Sequence, residues 1–371
     1  MQHILLAFDS FKGTFSSAEI AHWVQEALPL WARSRCIIQP LADGGEGFVE
    51  VFKALPNAVT RKAAVTSPMG ERITAEYVLI GHRAALEMSA AAGLPLVKGA
   101  LRPDLATTFG VGELILAAAA EATDIFLGLG GSATCDGGAG ALQALGVELL
   151  DAAERPIPLG NLGLAQLASV NFSTLRLPPT LSLTLASDVR NPLLGEHGAI
   201  RTFGKQKGVL DADMDTFEAR LEHFATVTEQ ALQRRFRHLA GTGAAGGLGF
   251  GMMLLSPFLR TVSLQSGFNI ICTLTELEAK IQDSDCVLTG EGKLDQTSFA
   301  GKVVGSVVAL CRKFQKPCYV VAGQCELSQS ELEHLGIEKV FAIFDAAPPA
   351  LSVAKAQTPE RLKTLLAQFP Q

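Results

Sequence analysis

The chain has 371 residues, 48% hydrophobic and 18% charged, with a formal net charge of -6 at pH 7. That balance supports a large core and excludes a disordered chain. The acidic charge excludes nucleic acid as a main partner, because phosphate backbones are bound by dense Lys and Arg. At ~150 residues per domain the length predicts about two domains.

Seven cysteines (Cys36, Cys135, Cys272, Cys286, Cys311, Cys318 and Cys325) form no Cys-x-x-Cys pair. This predicts reduced thiols in a cytoplasmic protein, without a disulfide framework or structural zinc. The segment MQHILLAFDSFK lacks a basic region, and its apolar run is too short for a signal peptide. Residues 239–259 are uncharged over a membrane-spanning length. Glycine and proline interrupt them, so they read as a buried glycine loop and core segment rather than a span.

Residues 3–8 read as a strand ending in the loop Asp9–Gly13. Ser16 with Glu19 fits a capping box, and Ile20, Trp23, Val24, Ala27, Leu28 and Trp31 recur at helical spacing, predicting a helix over 16–31. Residues 36–41 read as a second strand ending in Asp43–Gly47, followed by a helix to about Leu55. This is the doubly wound pattern, in which ligands bind beyond the carboxyl ends of the strands.

The pattern changes after Pro56. Residues 59–67, 73–80 and 84–88 are β-prone runs joined by turn signals, which predicts an antiparallel meander. A helix then precedes a buried strand at 124–129, the loop GGSATCDGG, and a helix of small residues from Ala139. Residues 181–186 predict a strand, 211–238 a long helix, and GTGAAGGLG at 241–249 a loop. From 285 the doubly wound pattern returns. A strand at 286–289 leads into a loop at Gly290–Asp295, then come a helix over about 301–314, strands at 317–322 and 339–344, and a capping box at Ser328 and Glu331. A terminal helix is predicted to open at Thr358-Pro359-Glu360, with Pro at the first helical position. The predicted fold is α/β: a doubly wound parallel sheet from 1–56 and 282–371, with a second α/β domain of mixed sheet, 57–281, inserted into it.

Four loops share one composition, small residues plus an acid at the end of an apolar strand: Asp9–Gly13, Asp43–Gly47, Gly130–Gly138 and Gly290–Asp295. Gly and Asp are also plain turn formers, but the repetition points to an anionic ligand and a metal. Phosphoryl transfer needs backbone N–H donors, carboxylates for Mg²⁺, cations on the transferred group and a base. Backbone N–H groups near Gly130, Gly131 and Ser132, and near Gly290 and Gly292, suit phosphate. Lys12 and Lys293 sit inside such loops as point charges. Two dinucleotide-like strings lack the context that a dinucleotide fingerprint requires. That at Gly241 follows a helix, and that at Gly128 opens onto a second acid-glycine cluster instead of a regular helix. Gly301-Lys302-Val303 lacks the Ser or Thr of a Walker A loop.

The strings DSFKGT (9–14), PLADGGEG (40–47), GLGGSATCDGGAGAL (128–142), ASDVRNPLLG (186–195), FGKQKG (203–208), GTGAAGGLG (241–249) and TGEGKLDQTSFAGK (289–302) resemble the bacterial glycerate kinase family, in order and over nearly the whole chain. Phe8, where the family usually has Pro, is a small departure. Phe250 and Met252, where smaller residues are commoner, are two others. None removes a polar group.

The resemblance implies ATP-dependent phosphorylation of D-glycerate to 2-phosphoglycerate with Mg²⁺. It also implies a flavodoxin-like domain carrying an inserted α/β domain, and the active site is expected in the cleft between the two. The expected partners are small molecules only, with neither nucleic acid nor membrane, in a monomer or homodimer. The resemblance assigns no roles. The working assignment makes Asp188 the base, with Asp295 second, and Lys12 and Lys293 the charge-neutralising cations. Asp43, Glu46 and Glu291 are the Mg²⁺ candidates. Ser10, Arg190 and Asn191 are the expected substrate contacts, with Arg190 donating to the substrate's carboxylate.

Overall fold

The computed structural model describes residues 3–299, 302–344 and 349–370. Its strands in chain order are β1 (Ile4–Phe8), β2 (Cys36–Pro40), β3 (Val59–Thr66), β4 (Arg72–Ile80), β5 (Arg83–Glu87), β6 (Asp124–Gly128), β7 (Glu148–Leu150), β8 (Ser169–Asn171), β9 (Ser182–Ala186), β10 (Thr261–Gln265), β11 (Cys286–Leu294), β12 (Cys318–Cys325) and β13 (Lys339–Ala342). The chain divides into two compact units, Met1–Val51 with Gly267–Gln371, and Phe52–Ser266.

The first unit holds a five-stranded, all-parallel sheet ordered β13-β12-β11-β1-β2. Numbered within the unit this is 2-1-3-4-5, the flavodoxin-like order. Every residue of β1 is buried, as are Cys286–Gly290 of β11. Strands covered on both faces run apolar without alternation, which is why they were legible.

Three elements of this unit differ from expectation. The helix predicted over 16–31 is two, Ser17–Ala27 and Leu30–Arg33, because Pro29 holds Leu28 extended (φ -63°, ψ 155°). The Ser16–Glu19 capping box is formed. The terminal helix runs Leu351–Leu366 with Pro359 inside it, because the buried stripe Ala354, Thr358, Leu362 and Leu366 begins before the proline.

The third difference concerns β11, which does not give way to a loop at Gly290. It continues to Leu294 against β12, pairing Gly290 with Val321, Glu291 with Ala322 and Lys293 with Gln324. Glycine at 290 serves this close packing, since a Cβ there would lie 2.0 Å from the Val321 carbonyl oxygen.

The second unit holds a six-stranded mixed sheet ordered β10-β9-β6-β5-β4-β3, and a two-stranded ribbon of β7 and β8. β3, β4 and β5 form the expected antiparallel meander, while β5, β6, β9 and β10 are parallel. The helix predicted over 211–238 ends at Leu232. Gln233 takes a left-handed conformation there, and the Glu229 carboxylate turns the chain back by accepting from Phe236 N, Arg237 N and Arg237 Nε at 2.7–2.8 Å. The expected loop at 241–249 is a turn running into the helix Ala244–Met253, which is broken by left-handed Ala245, Gly246 and Gly247. No helix among the described residues is long and apolar enough to cross a membrane.

Asp136, buried to 0% exposure, ties the GGSATCDGG turn to the helix Phe109–Ala119. Its Oδ2 accepts from Thr108 N (2.8 Å), Thr108 Oγ1 (2.9 Å) and Gly140 N (3.3 Å), and its Oδ1 from Gly138 N (3.2 Å). The acid of the central glycine loop is therefore an internal bracket. Asp136→Ala strands several buried donors and is expected to cost about 3 kcal/mol or more. Denaturant unfolding checks this, and an unchanged midpoint would contradict it.

Candidate active site

In the first unit the carboxyl ends of β1, β11, β12 and β13 surround a cavity of about 400 Å³. It lies at the point between β1 and β11 where the strand order reverses, the ligand-binding position of doubly wound sheets. Of the residues expected at a site, Ser10, Lys12, Asp43, Glu291, Gly292, Lys293 and Asp295 line it. Glu46 is exposed on the loop after β2 and is not among them. Gly290 is a ladder residue of β11. Ala300 and Gly301, the end of the last string, lie outside the described residues.

Asp9 is the most perturbed acid of this group and the one to which the sequence reading gave no role. It ends the apolar β1, is 7% exposed, and its Oδ1 accepts from Ser10 N at 2.7 Å. Burial first, and then the neighbouring Asp43 charge, raise its pKa from 3.8 to about 8. Lys12 Nζ lies 3.8 Å from Asp43 Oδ2, and Asp43 holds the ammonium above its usual range. Asp43 Oδ1 accepts from Gly45 N at 2.9 Å, which fixes the turn after β2.

Glu291 is pushed up by burial, and among the described residues its buried Oε1 has no partner, nor has the hydroxyl of Ser10. At the far end of β11, Lys293 Nζ pairs with Glu326 at 2.9 Å and stands 3.8 Å from Asp295. Asp295 Oδ1 accepts from Thr297 N and Oγ1, which lowers its pKa, and Lys302 donates to Thr297 Oγ1 at 2.8 Å. Lys302 also lines the cavity and was missed.

The second unit carries the other expected residues. β6 and β9 are paired neighbours, with Gly128 opposite Ala186, so the turn Gly130–Ser132 and the loop holding Asp188, Arg190 and Asn191 start side by side. Leu94 N donates to Gly131 O and Ala133 N to Ala92 O, both at 2.9 Å, which pins the turn. Among the described residues the N–H groups of Gly130, Gly131 and Ser132 have no hydrogen-bond partner. Asp188 is half-buried and Arg190 exposed. Asn191 Nδ2 donates to His197 O (2.7 Å) and Thr202 Oγ1 (3.1 Å), so its amide holds its own loop.

Lys207, in the FGKQKG string, is a further residue that the sequence alone leaves without a role. It is 2% exposed, and its Nζ donates to Ser132 Oγ (2.6 Å) and Thr134 O (2.9 Å). Its sequence signal is slight, since Lys205 and Lys207 both lie between Gly204 and Gly208 and nothing local marks which is buried.

These features define an α/β protein whose strand-end sites suit an anionic ligand. The Glycerate kinase family model matches residues 4–370. The chain is 40% identical to Glycerate 2-kinase of Escherichia coli K12, covering 92% of this chain and 90% of that one. It is 38% identical to Glycerate kinase of Bacillus subtilis 168, over 93% and 91%. A crystal structure provisionally named glycerate kinase 2, from Salmonella typhimurium LT2, matches with a TM-score of 0.82 and 34% identity, covering 98% and 96% of the two chains. The chain belongs to the glycerate kinase family, a family of kinases.

The Asp9 carboxyl binds a proton in the folded chain, but not in the unfolded one, between about pH 4 and about pH 8, so its contribution to stability is lost as pH rises through that window. Asp9→Asn is expected to be more stable than the parent at pH 9 by roughly a few kcal/mol, with the difference vanishing near pH 4. Unfolding midpoints across pH measure this, and a pH-independent difference would contradict it.

Proposed function

We propose that the protein transfers the γ-phosphoryl group of ATP to D-glycerate, giving 2-phosphoglycerate and ADP in the cytoplasm. The observation that carries this reading is the run of three unbonded N–H groups at Gly130, Gly131 and Ser132, beside the Asp188–Asn191 loop on the neighbouring strand. Family membership supports the substrate.

The glycerate hydroxyl oxygen attacks the γ-phosphorus, its proton passes to the Asp188 carboxylate, and ADP leaves. Arg190 pairs with the glycerate carboxylate, and the phosphate oxygens take the N–H groups of 130–132. In the first unit, taken by itself, Lys12 and Lys293 are assigned as cations for phosphoryl charge, with Gly292 leaving the β11 backbone open to a phosphate. Asp295 accepts from Thr297 and so is the weaker choice of base.

The hard oxygens at Asp43 and Glu291, with the unpartnered Glu291 Oε1 and Ser10 Oγ, fit Mg²⁺, which binds one or two carboxylates and completes its shell with phosphate oxygens and water. Asp43 and Glu291 would hold it, and Glu46 sits outside that group. When bound, Mg²⁺ supplies positive charge to the phosphates.

ADP release coupled to Mg-ATP and D-glycerate tests the substrate. Turnover on D-glycerate well above that on four-carbon tetronates is expected, and tetronate preference would overturn the substrate assignment. Asp188→Asn is expected to lower kcat by about 10²–10⁴-fold with D-glycerate still bound. An unchanged kcat would remove Asp188 as the base.

A further inference from the structure

Lys207 is a buried charge that the reaction above does not use. Its ammonium has no salt-bridge partner among the described residues. The titratable groups that face it are the Cys135 thiol, which burial pushes up and leaves neutral, and the Asp136 carboxylate, whose oxygens are already taken by Thr108, Gly138 and Gly140. Gly246 closes over the ammonium, and a Cβ at that position would lie 3.0 Å from Nζ and 1.8 Å from the Thr134 carbonyl oxygen. A buried cation without a counter-ion is costly to fold around, and burial lowers the pKa of Lys207 accordingly.

The counter-charge has a place to bind. Above Lys207 lies the turn with three unbonded N–H groups, reaching solvent at Gly131. Thr134 Oγ1, fully buried in the same turn, also lacks a partner among the described residues. Ser132 Oγ accepts from the ammonium, which leaves its own proton to donate outward.

We propose that Lys207 is a positioning residue that, through Ser132 Oγ, gives the Gly130–Ser132 turn its affinity for an anionic oxygen of the substrate. This rests on the kinase reading of that turn. The reaction above gives this place to a phosphoryl oxygen, and the glycerate carboxylate, which suits the same donors and charge, is the other source that the test separates.

The test uses the full chain with Lys207→Met, Ser132→Ala and the double variant. It measures KM for Mg-ATP and for D-glycerate, the Kd of inorganic pyrophosphate by calorimetry, and thermal unfolding. Each single variant is expected to weaken one anionic ligand about ten- to a hundredfold, the loss of one charge-assisted contact. The double variant is expected to be no weaker than K207M, because both changes cut one relay. A rise confined to Mg-ATP and pyrophosphate assigns the oxygen to a phosphoryl group, and a rise confined to D-glycerate assigns it to the carboxylate.

Parental KM and Kd values in the variants, with or without a fall in unfolding temperature, would overturn the proposal while the kinase reading stood. A parent chain without turnover would overturn both. If K207M does not fold, S132A decides by the same readings.

Discussion

Burying a charge is the constraint around which both strand-end regions are built. An ion taken out of water must find hydrogen bonds or an opposite charge, or shift its protonation. The first unit buries Asp9 at the end of β1, beside a second carboxylate, and the proton balance moves accordingly. The second buries Lys207 beneath a turn that offers donors and no anion of its own. Asp136 shows the satisfied case, a buried carboxylate surrounded by N–H and hydroxyl donors. The contrast separates a buried carboxylate ringed by donors from two buried charges, Asp9 and Lys207, that the fold around them does not offset.

The elements legible in the sequence were those fixed locally. Both capping boxes form where Ser16 with Glu19 and Ser328 with Glu331 placed them, and the apolar runs of β1, β6 and β9 are strands because covered parallel strands need continuous apolar residues. The misreadings came where distant packing overrides local signals. Gly290 and Gly292 look like a turn, yet β12 extends alongside and holds them in β11. Pro359 looks like a helix start, yet the buried stripe begins at Ala354. Ala245 adopts a left-handed conformation that no side chain of its own favours, imposed by the turn that seats Gly246 against Thr134.

Of the site, the sequence showed which loops matter, because glycine with acid at the end of an apolar strand is a local pattern. It could not show which acid is buried, since burial depends on strands far away in the chain. Asp9 and Lys207 therefore went unassigned, and nothing local marked Asp136, the acid of the central glycine loop, as a bracket. The strings GGSATCDGG, FGKQKG and GTGAAGGLG, separate in sequence, meet around Lys207 Nζ. Their composition follows from that meeting: small residues for close approach, one lysine for charge, and hydroxyls to relay it.

The central claim is that this chain places an ATP phosphoryl group on the secondary hydroxyl of glycerate. The most direct measurement is ³¹P NMR of the product formed from Mg-ATP and D-glycerate. The account predicts a single new phosphomonoester resonance belonging to 2-phosphoglycerate, appearing in step with ADP. The 3-phosphate, or ADP without a phosphorylated acid, would contradict it.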